Sequence, residues 1–316
     1  MACFYPRQAI RIFSMLSSKG KSLVRFVSNE TAERMKISRS FEVLSGLPCG
    51  ECVGCRLERS RQWAIRCINE AQLHDFNWFV TLTFDEFSLQ ARREPMSLDK
   101  SDFQKFMKRL RKSVGKVRYY MCGEYGELFK RPHYHAILFG VDFPDRKLEK
   151  CSDGMRYYSS DFLHKLWPFG RNIITDVTFD TCAYVARYIM KKVLGKDAWK
   201  SYFQYLDEFT GELVGHRLPE YTTMSRRSGI GKAWLDKYLQ DVYPKDKIFM
   251  RGRGFSKPPK YYDSQYEIVN PSDYSRLKQA RVEAALLRSD DNTQDRLKVK
   301  EAVKLSQIDV LKRNLE

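Results

Sequence analysis

The chain has 316 residues, enough for one large or two modest domains with a sizeable core. Its 56 Lys and Arg outnumber its 39 Asp and Glu, a net charge of +17, and 18 Tyr, 20 Phe and 5 Trp accompany them. Without a long apolar span or a signal-peptide pattern, a soluble intracellular protein with a polyanionic partner is expected, and a membrane protein is not.

Residues 1–47 are basic and weakly patterned, and are expected to wrap a core rather than form one. Pro48-Cys49-Gly-Glu-Cys52-Val-Gly-Cys55 gathers three of the eight cysteines at two-residue gaps. In an intracellular chain that spacing points to metal thiolates rather than disulfides. A tetrahedral zinc site needs a fourth ligand. Residues 56–71 have helical spacing, which would carry Cys67 roughly 18 Å from Cys55 along the helix axis. Cys3, on a free N-terminal segment, can reach, so the expected set is Cys3, Cys49, Cys52 and Cys55. An iron–sulfur cluster and a loop of idle thiols are the other readings. The P-C-x-x-C half of a nucleobase-deaminase signature is also present, but no histidine precedes His74 to supply the upstream H-x-E, so that reading fails.

Trp78-Phe-Val-Thr-Leu-Thr-Phe84 predicts a strand, followed by a polar loop over 85–100. Ser101-Asp-Phe-Gln104 has the form of a capping box. Phe103, Phe106, Met107 and Leu110 then recur at i, i+3, i+4, i+7, an amphipathic helix ending near Gly115. Residues 116–122 and 132–139 predict a β-hairpin, and 172–178 a further strand. Asp180 or Thr181 is expected to cap a helix reaching Gly195. These elements predict an α+β fold, a central antiparallel sheet with helices on one face. No Walker or G-x-G-x-x-G loop occurs, which argues against an NTPase. Ser228-Gly-Ile-Gly231 either presents N–H groups to a phosphate or simply starts a helix. Arg251-Gly-Arg-Gly254 and Lys257-Pro-Pro-Lys260 read as a flexible basic connection, and 270–316 as a charged helical tail. The expected organisation is a Cys-rich N-terminal segment (1–72), a core (73–245), and a basic linker with the tail (246–316).

Chemistry concentrates at Arg131-Pro-His133-Tyr-His135-Ala-Ile-Leu-Phe139. Residues two apart on a strand share a face, so both imidazoles can grip one divalent cation. Glu124 lies almost opposite them in a hairpin centred near Phe129, within reach of a shared ion; Glu127, in the turn, is the alternative carboxylate. Two histidines and a carboxylate with open positions suit Mn²⁺ or Mg²⁺, although the spacing does not exclude zinc. In 182–193 the apolar stripe is Cys182, Val185, Ala186, Ile189 and Val193. Tyr184 and Tyr188 stack one turn apart on another face, with Lys192 continuing their row. Rings that cover a neighbouring element would explain both tyrosines equally well. A tyrosine beside a bound divalent ion and a lysine (Lys191 or Lys192) can attack a DNA phosphodiester.

Phe79-Val-Thr-Leu-Thr-Phe84, His133-Tyr-His135 and Tyr184-x-x-x-Tyr188 resemble, in order, the three motifs of HUH endonucleases that initiate rolling-circle replication. The resemblance is strongest to replication initiation proteins of gokushovirus-type microviruses, small single-stranded DNA phages. Cys49–Cys55 with Arg56-Leu-Glu-Arg-Ser-Arg-Gln-Trp-Ala64, Cys122-Gly-Glu-Tyr-Gly126 and Met224-Ser-Arg-Arg-Ser-Gly-Ile-Gly231 also look like that group. It covers roughly residues 1–265. The resemblance implies that His133 and His135 bind the catalytic ion, with Glu124 at the matching acidic position, and that Tyr184 and Tyr188 are nucleophiles. It implies a nick at the phage origin, a 5′-phosphotyrosine link and a 3′-hydroxyl for host polymerase, with helicase and other host replication factors as partners, in the bacterial cytoplasm. The reading from a different class is a non-catalytic, zinc-containing DNA-binding protein that recruits replication or packaging factors.

Overall fold

The computed structural model describes residues 3–16, 22–35, 41–126, 129–152, 154–187 and 217–310, together with 202, 205–206, 211 and 213–215. The chain forms two compact units, Met1–Arg59 with Lys278–Glu316, and Ser60–Leu277.

In the first unit, residues 7–47 fold into a small sheet of their own instead of only wrapping another core. Strand β1 (Arg7–Leu16) is central, flanked by antiparallel β2 (Ser22–Val27) and β3 (Phe41–Leu47), with helix α1 (Asn29–Met35) between the outer two in sequence. Ala9, Ile10 and Ile12 of β1 and Ala32 of α1 are buried. The exposed Phe13, Met15 and Leu16 break the expected alternation, which is why the strand is hard to read from sequence. In the tail, the described residues form helices Pro271–Leu286 and Gln294–Val310, the helical character expected there.

The second unit contains most of α2 (Val53–Ala71), then β4 (Asn77–Leu82), α3 (Glu86–Gln90), α4 (Lys100–Val114), β5 (Arg118–Tyr125) and β6 (Pro132–Phe139). There follow β7 (Lys147–Ser152), β8 (Met155–Ser159), α5 (Asp161–Leu166), β9 (Asn172–Asp176) and α6 (Phe179–Arg187), then short strands β10 (Tyr205–Leu206), β11 (Leu213–Gly215) and β12 (Tyr221–Met224). Seven strands form one antiparallel sheet in the order β12-β5-β6-β4-β9-β8-β7. The fold is therefore α+β with a large antiparallel sheet, as expected.

Helices cover both faces of that sheet, not one. Strand alternation sends Val80, Leu82, Met121, Tyr134, Ala136 and Leu138 to one face, where they meet Phe103, Phe106, Met107 and Leu110 of α4 and Leu163 and Leu166 of α5. The opposite face presents Phe79, Tyr120 and His135. Trp63 of α2 stacks on Tyr120 at 4.6 Å between centroids, and Tyr184 of α6 meets Phe79 and His135 edge-on. The site therefore lies between sheet and helix.

Local chemistry also moved two helix starts. Helix α4 begins at Lys100 because Asp99, not Ser101, is its cap and accepts the Ser101 N–H at 2.7 Å. Helix α6 is capped by Thr178, whose hydroxyl accepts the Thr181 N–H at 3.1 Å while Thr181 returns a bond to the Thr178 N–H at 2.8 Å. The polar loop after β4 contains the short helix α3, started by Asp85 accepting from the Ser88 N–H.

Glu70 of α2, 2% exposed, ties three segments. It accepts from the Arg118 guanidinium on β5 and, at 2.7 Å, from the Gly231 N–H ahead of helix Lys232–Val242. The Gly231 donor is thus committed to Glu70, and Ser228–Gly231 serves as a helix start. Removing one member of a buried pair leaves the other charge uncompensated. Glu70→Ala is expected to lower the unfolding free energy by about 3 kcal/mol in urea titration; a loss of well under about 1 kcal/mol would show that the tie is not structural.

Candidate functional site

Antiparallel register brings the sequence-predicted ligands together. Glu124 on β5 is the direct partner of His133 on β6, and His135 is the partner of Cys122 on one side and Thr81 of β4 on the other. Both imidazoles approach the same carboxylate oxygen, Glu124 Oε1, with Nε2 at 2.8 Å in each case. The ligand atoms of the three residues all lie within 4.8 Å of one another. Cis donors about 3.0 Å apart are what bonds of about 2.1 Å to an octahedral ion require, so the set is close to a cation's span.

Each ring is aimed from behind. His133 Nδ1 lies 3.1 Å from the Arg131 carbonyl oxygen, and His135 Nδ1 lies 2.9 Å from Thr81 Oγ1. Partners on Nδ1 fix which nitrogen faces the centre. Phe79 stacks on the His135 ring at 5.4 Å. Glu124 is fully buried and His135 2% exposed, while His133 is half-buried and forms the open side. Burial acts to raise the Glu124 carboxyl, but the field of His135 and hydrogen bonds from both imidazoles outweigh it, so it titrates below its usual range. Glu124 Oε2 is buried with no hydrogen-bond partner among the described residues, an orphaned acceptor of the kind a cation satisfies. The three residues fit a divalent metal ion.

Tyr184 sits next to this centre. Its ring meets His135 edge-on at 5.1 Å and Phe79 at 6.1 Å. The predicted stripe residues Cys182, Val185 and Ala186 are buried, and the Ser60 hydroxyl of α2 donates to the Ala183 carbonyl at 2.7 Å, pinning the helix. Tyr184, expected off that stripe, is itself only 7% exposed because it packs on the sheet's histidine face. Tyr188, Lys191, Lys192 and Glu127 lie outside the described residues. Sequence reasoning missed Thr81 and Phe79. Pairing of β4 with β6 in register would have pointed to Thr81, which faces His135 directly.

A second candidate metal site lies in the other unit. The ligand atoms of Cys3, Cys49, Cys52 and Cys55 all fall within 4.8 Å, with Cys49 and Cys55 sulfurs 3.9 Å apart and Cys52 and Cys3 sulfurs also 3.9 Å apart. A tetrahedral ion with thiolate bonds of about 2.3 Å separates its sulfurs by about 3.8 Å. Backbone N–H groups converge on the same sulfurs, from Phe4 to Cys52 at 3.4 Å and from Cys49 to Cys3 at 3.2 Å. Burial acts to raise Cys52, yet the N–H groups of Phe4 and Cys55 and the neighbouring thiols bring it down to about 7; burial and adjacent thiols push Cys55 up to about 12. Cys67 is buried elsewhere, beside Cys182, in keeping with the helix argument that set it apart.

Residues 77–193, from β4 through the helix bearing Tyr184, match the replication-associated protein ORF2 family. The chain is 31% identical over 250 residues to replication-associated protein VP4 of Bdellovibrio phage phiMH2K, covering 76% of this chain and 73% of that protein. It is 31% identical over 282 residues to replication-associated protein ORF2 of Spiroplasma virus 4, covering 84% and 81%. With replication-associated protein ORF4 of Chlamydia phage 1 the identity is 34% over 240 residues, 71% of this chain and 54% of that one. No solved structure matches.

Because Thr81 orients His135, its near-isostere should weaken the site without unfolding the sheet. Thr81→Val is expected to reduce Mn²⁺ affinity by about 10- to 100-fold in calorimetric titration; an unchanged affinity would show that the hydroxyl does not position the ring.

Proposed function

Because the chain belongs to the family of microvirus-type phage replication-associated proteins, and so is a replication initiator, we propose that it starts replication by nicking DNA through a tyrosine. The observation that carries this reading is the meeting of Glu124, His133 and His135 at one point with the Tyr184 ring packed on His135. The substrate is single-stranded DNA at the phage origin, and the setting is the cytoplasm of the bacterial host. Among the described residues no helix is long and apolar enough to cross a membrane.

Glu124, His133 and His135 would hold Mg²⁺ or Mn²⁺, which when bound polarises the scissile phosphate and stabilises charge developing on it. The phenol of Tyr184 or Tyr188 supplies the nucleophile. Its pKa near 10 means that a proton must leave as the oxygen attacks, and Lys192 or Lys191 favours the phenolate. The tyrosine oxygen forms a bond to phosphorus, the phosphorus–O3′ bond breaks, and the departing O3′ takes up a proton. The products are a 5′-phosphotyrosine and a free 3′-hydroxyl that host polymerase extends with the host helicase. The reverse reaction, on a new 3′-hydroxyl, rejoins strands without ATP, since the phosphotyrosine stores the bond energy. Two tyrosines allow one strand to be held while another is cut. The four cysteines would hold Zn²⁺ as a structural ion, the softer thiolate set suiting zinc over magnesium.

Incubated with a labelled single-stranded origin oligonucleotide and Mn²⁺ or Mg²⁺, the protein is expected to form a covalent adduct that survives denaturing gels. The Tyr184→Phe, Tyr188→Phe double variant and His133→Ala are expected to lose at least about 10²-fold in adduct yield. Binding without an adduct under either ion would favour the recruiting, non-catalytic alternative.

Protein purified under reducing conditions should carry about one tightly held zinc per chain, released by acidification as the thiolates take up protons. Metal analysis that finds none, or a zinc content unchanged in Cys49→Ser, would refute the four-cysteine site.

A further inference from the structure

The basic segment after residue 244 is a built surface rather than a flexible connection. Its strands Ile248–Met250 and Gly254–Ser256 pair antiparallel, with Phe249 directly opposite Phe255. Alternation buries Ile248 and Met250 in a core with Trp234, Val242 and Tyr262, and turns Phe249 outward. Phe249 is 64% exposed and Phe255 71% exposed, and their rings meet edge-on at 5.5 Å. Two large aromatic rings held side by side in solvent are costly unless something covers them.

Charge on the page identifies the cover. Between 245 and 260 stand six basic residues, Lys245, Lys247, Arg251, Arg253, Lys257 and Lys260, against a single acid, Asp246. All six are exposed. The Lys247 ammonium lies 6.0 Å from the Phe255 ring centroid. The rings border an open cleft of about 510 Å³ whose wall includes Trp234, Tyr238 and Asp241, with Trp234 and Tyr238 rings 4.9 Å apart. Arg253, in the hairpin turn, fastens this element to α6: it grips Asp180 with bonds of 2.7 and 2.8 Å and lies over the Phe179 ring at 4.4 Å. The hairpin is thus attached to the first turn of the helix that carries Tyr184.

We propose that the hairpin 248–256 is a stacking platform for unpaired DNA, with bases laid on Phe249 and Phe255 and phosphates held by Lys247, Arg251 and their basic neighbours. Aromatic faces interleaved with cations match the alternating π-surface and negative charge of a single strand, and a stacked base needs no particular sequence. A duplex hides its base faces and can use only the cations. The inference rests on the reading that this chain acts on DNA and deepens it by naming a strand-holding surface outside the Glu124–His133–His135 centre.

The test uses the full chain in EDTA, with fluorescence anisotropy of a labelled oligo-dT of about 16 nucleotides, a duplex of equal length, and vesicles of mixed zwitterionic and anionic phospholipid. Phe249→Ala with Phe255→Ala is expected to weaken oligo-dT binding at least tenfold and duplex binding much less, while Phe249→Tyr with Phe255→Tyr restores affinity to within about twofold. Lys247→Gln with Arg251→Gln should lower the slope of log affinity against log salt by about 1.4. Both ring residues are exposed, so thermal unfolding should not change. Undiminished oligo-dT binding by the alanine pair would overturn the proposal, as would an equal loss for duplex, or a loss confined to vesicles. Binding is read without divalent ion or cleavage. Failure here therefore leaves the tyrosine chemistry standing, and failure of adduct formation leaves the platform standing.

Discussion

The arrangement depends on the register of one hairpin. A carboxylate with no exposure to water is expensive, and Glu124 is compensated only because β5 and β6 pair so that residue 124 faces residue 133. A shift of one residue would send Glu124 to the opposite face, into the apolar layer formed by Met121, Tyr134 and α4. The same pairing delivers two imidazoles to a single oxygen and leaves the second oxygen orphaned. Sheet geometry thus creates the electrostatic demand that a cation would answer.

Everything around that point restricts motion. Thr81 and Phe79 on β4 hold the His135 ring from behind and from its face. Helix α6 is fixed at its start by the Thr178–Thr181 exchange and by Arg253, and along its length by Ser60. An attacking phenol gains most when its carrier is held before the substrate arrives, because positional freedom has already been given up. The helix bearing the proposed nucleophile is tied to α2, to the sheet and to the basic hairpin, and those ties meet this requirement.

How much could be read in the sequence follows from how local each signal is. Period-two strands and a single hairpin made Glu124 legible opposite the histidines. Two-residue gaps and a helix rise separated Cys67 from the other four cysteines, whose sulfurs the structure brings together. The β1–β3 sheet escaped because Phe13, Met15 and Leu16 are exposed where alternation would call for burial. Thr81 escaped because its role depends on β4 and β6 being neighbours, a contact over 54 residues. The 248–256 hairpin escaped because its strands are three residues each and its turn, Arg251-Gly-Arg-Gly254, has the composition of a linker. Gly252 and Gly254 both have positive φ, so that composition builds a turn.

The net charge of +17 now has a distribution as well as a size, with one dense share on the hairpin next to α6. The central claim is narrower than DNA binding: a tyrosine of this helix becomes covalently joined to the strand it cuts. Mass spectrometry of proteolysed protein after reaction with origin DNA and Mn²⁺ tests it most directly. The account predicts a nucleotide linked through phosphate to Tyr184 or Tyr188 and to no other side chain. A cut strand with unmodified peptides would mean hydrolysis by water, and a nucleotide on any other residue would place the nucleophile elsewhere; either result would contradict it.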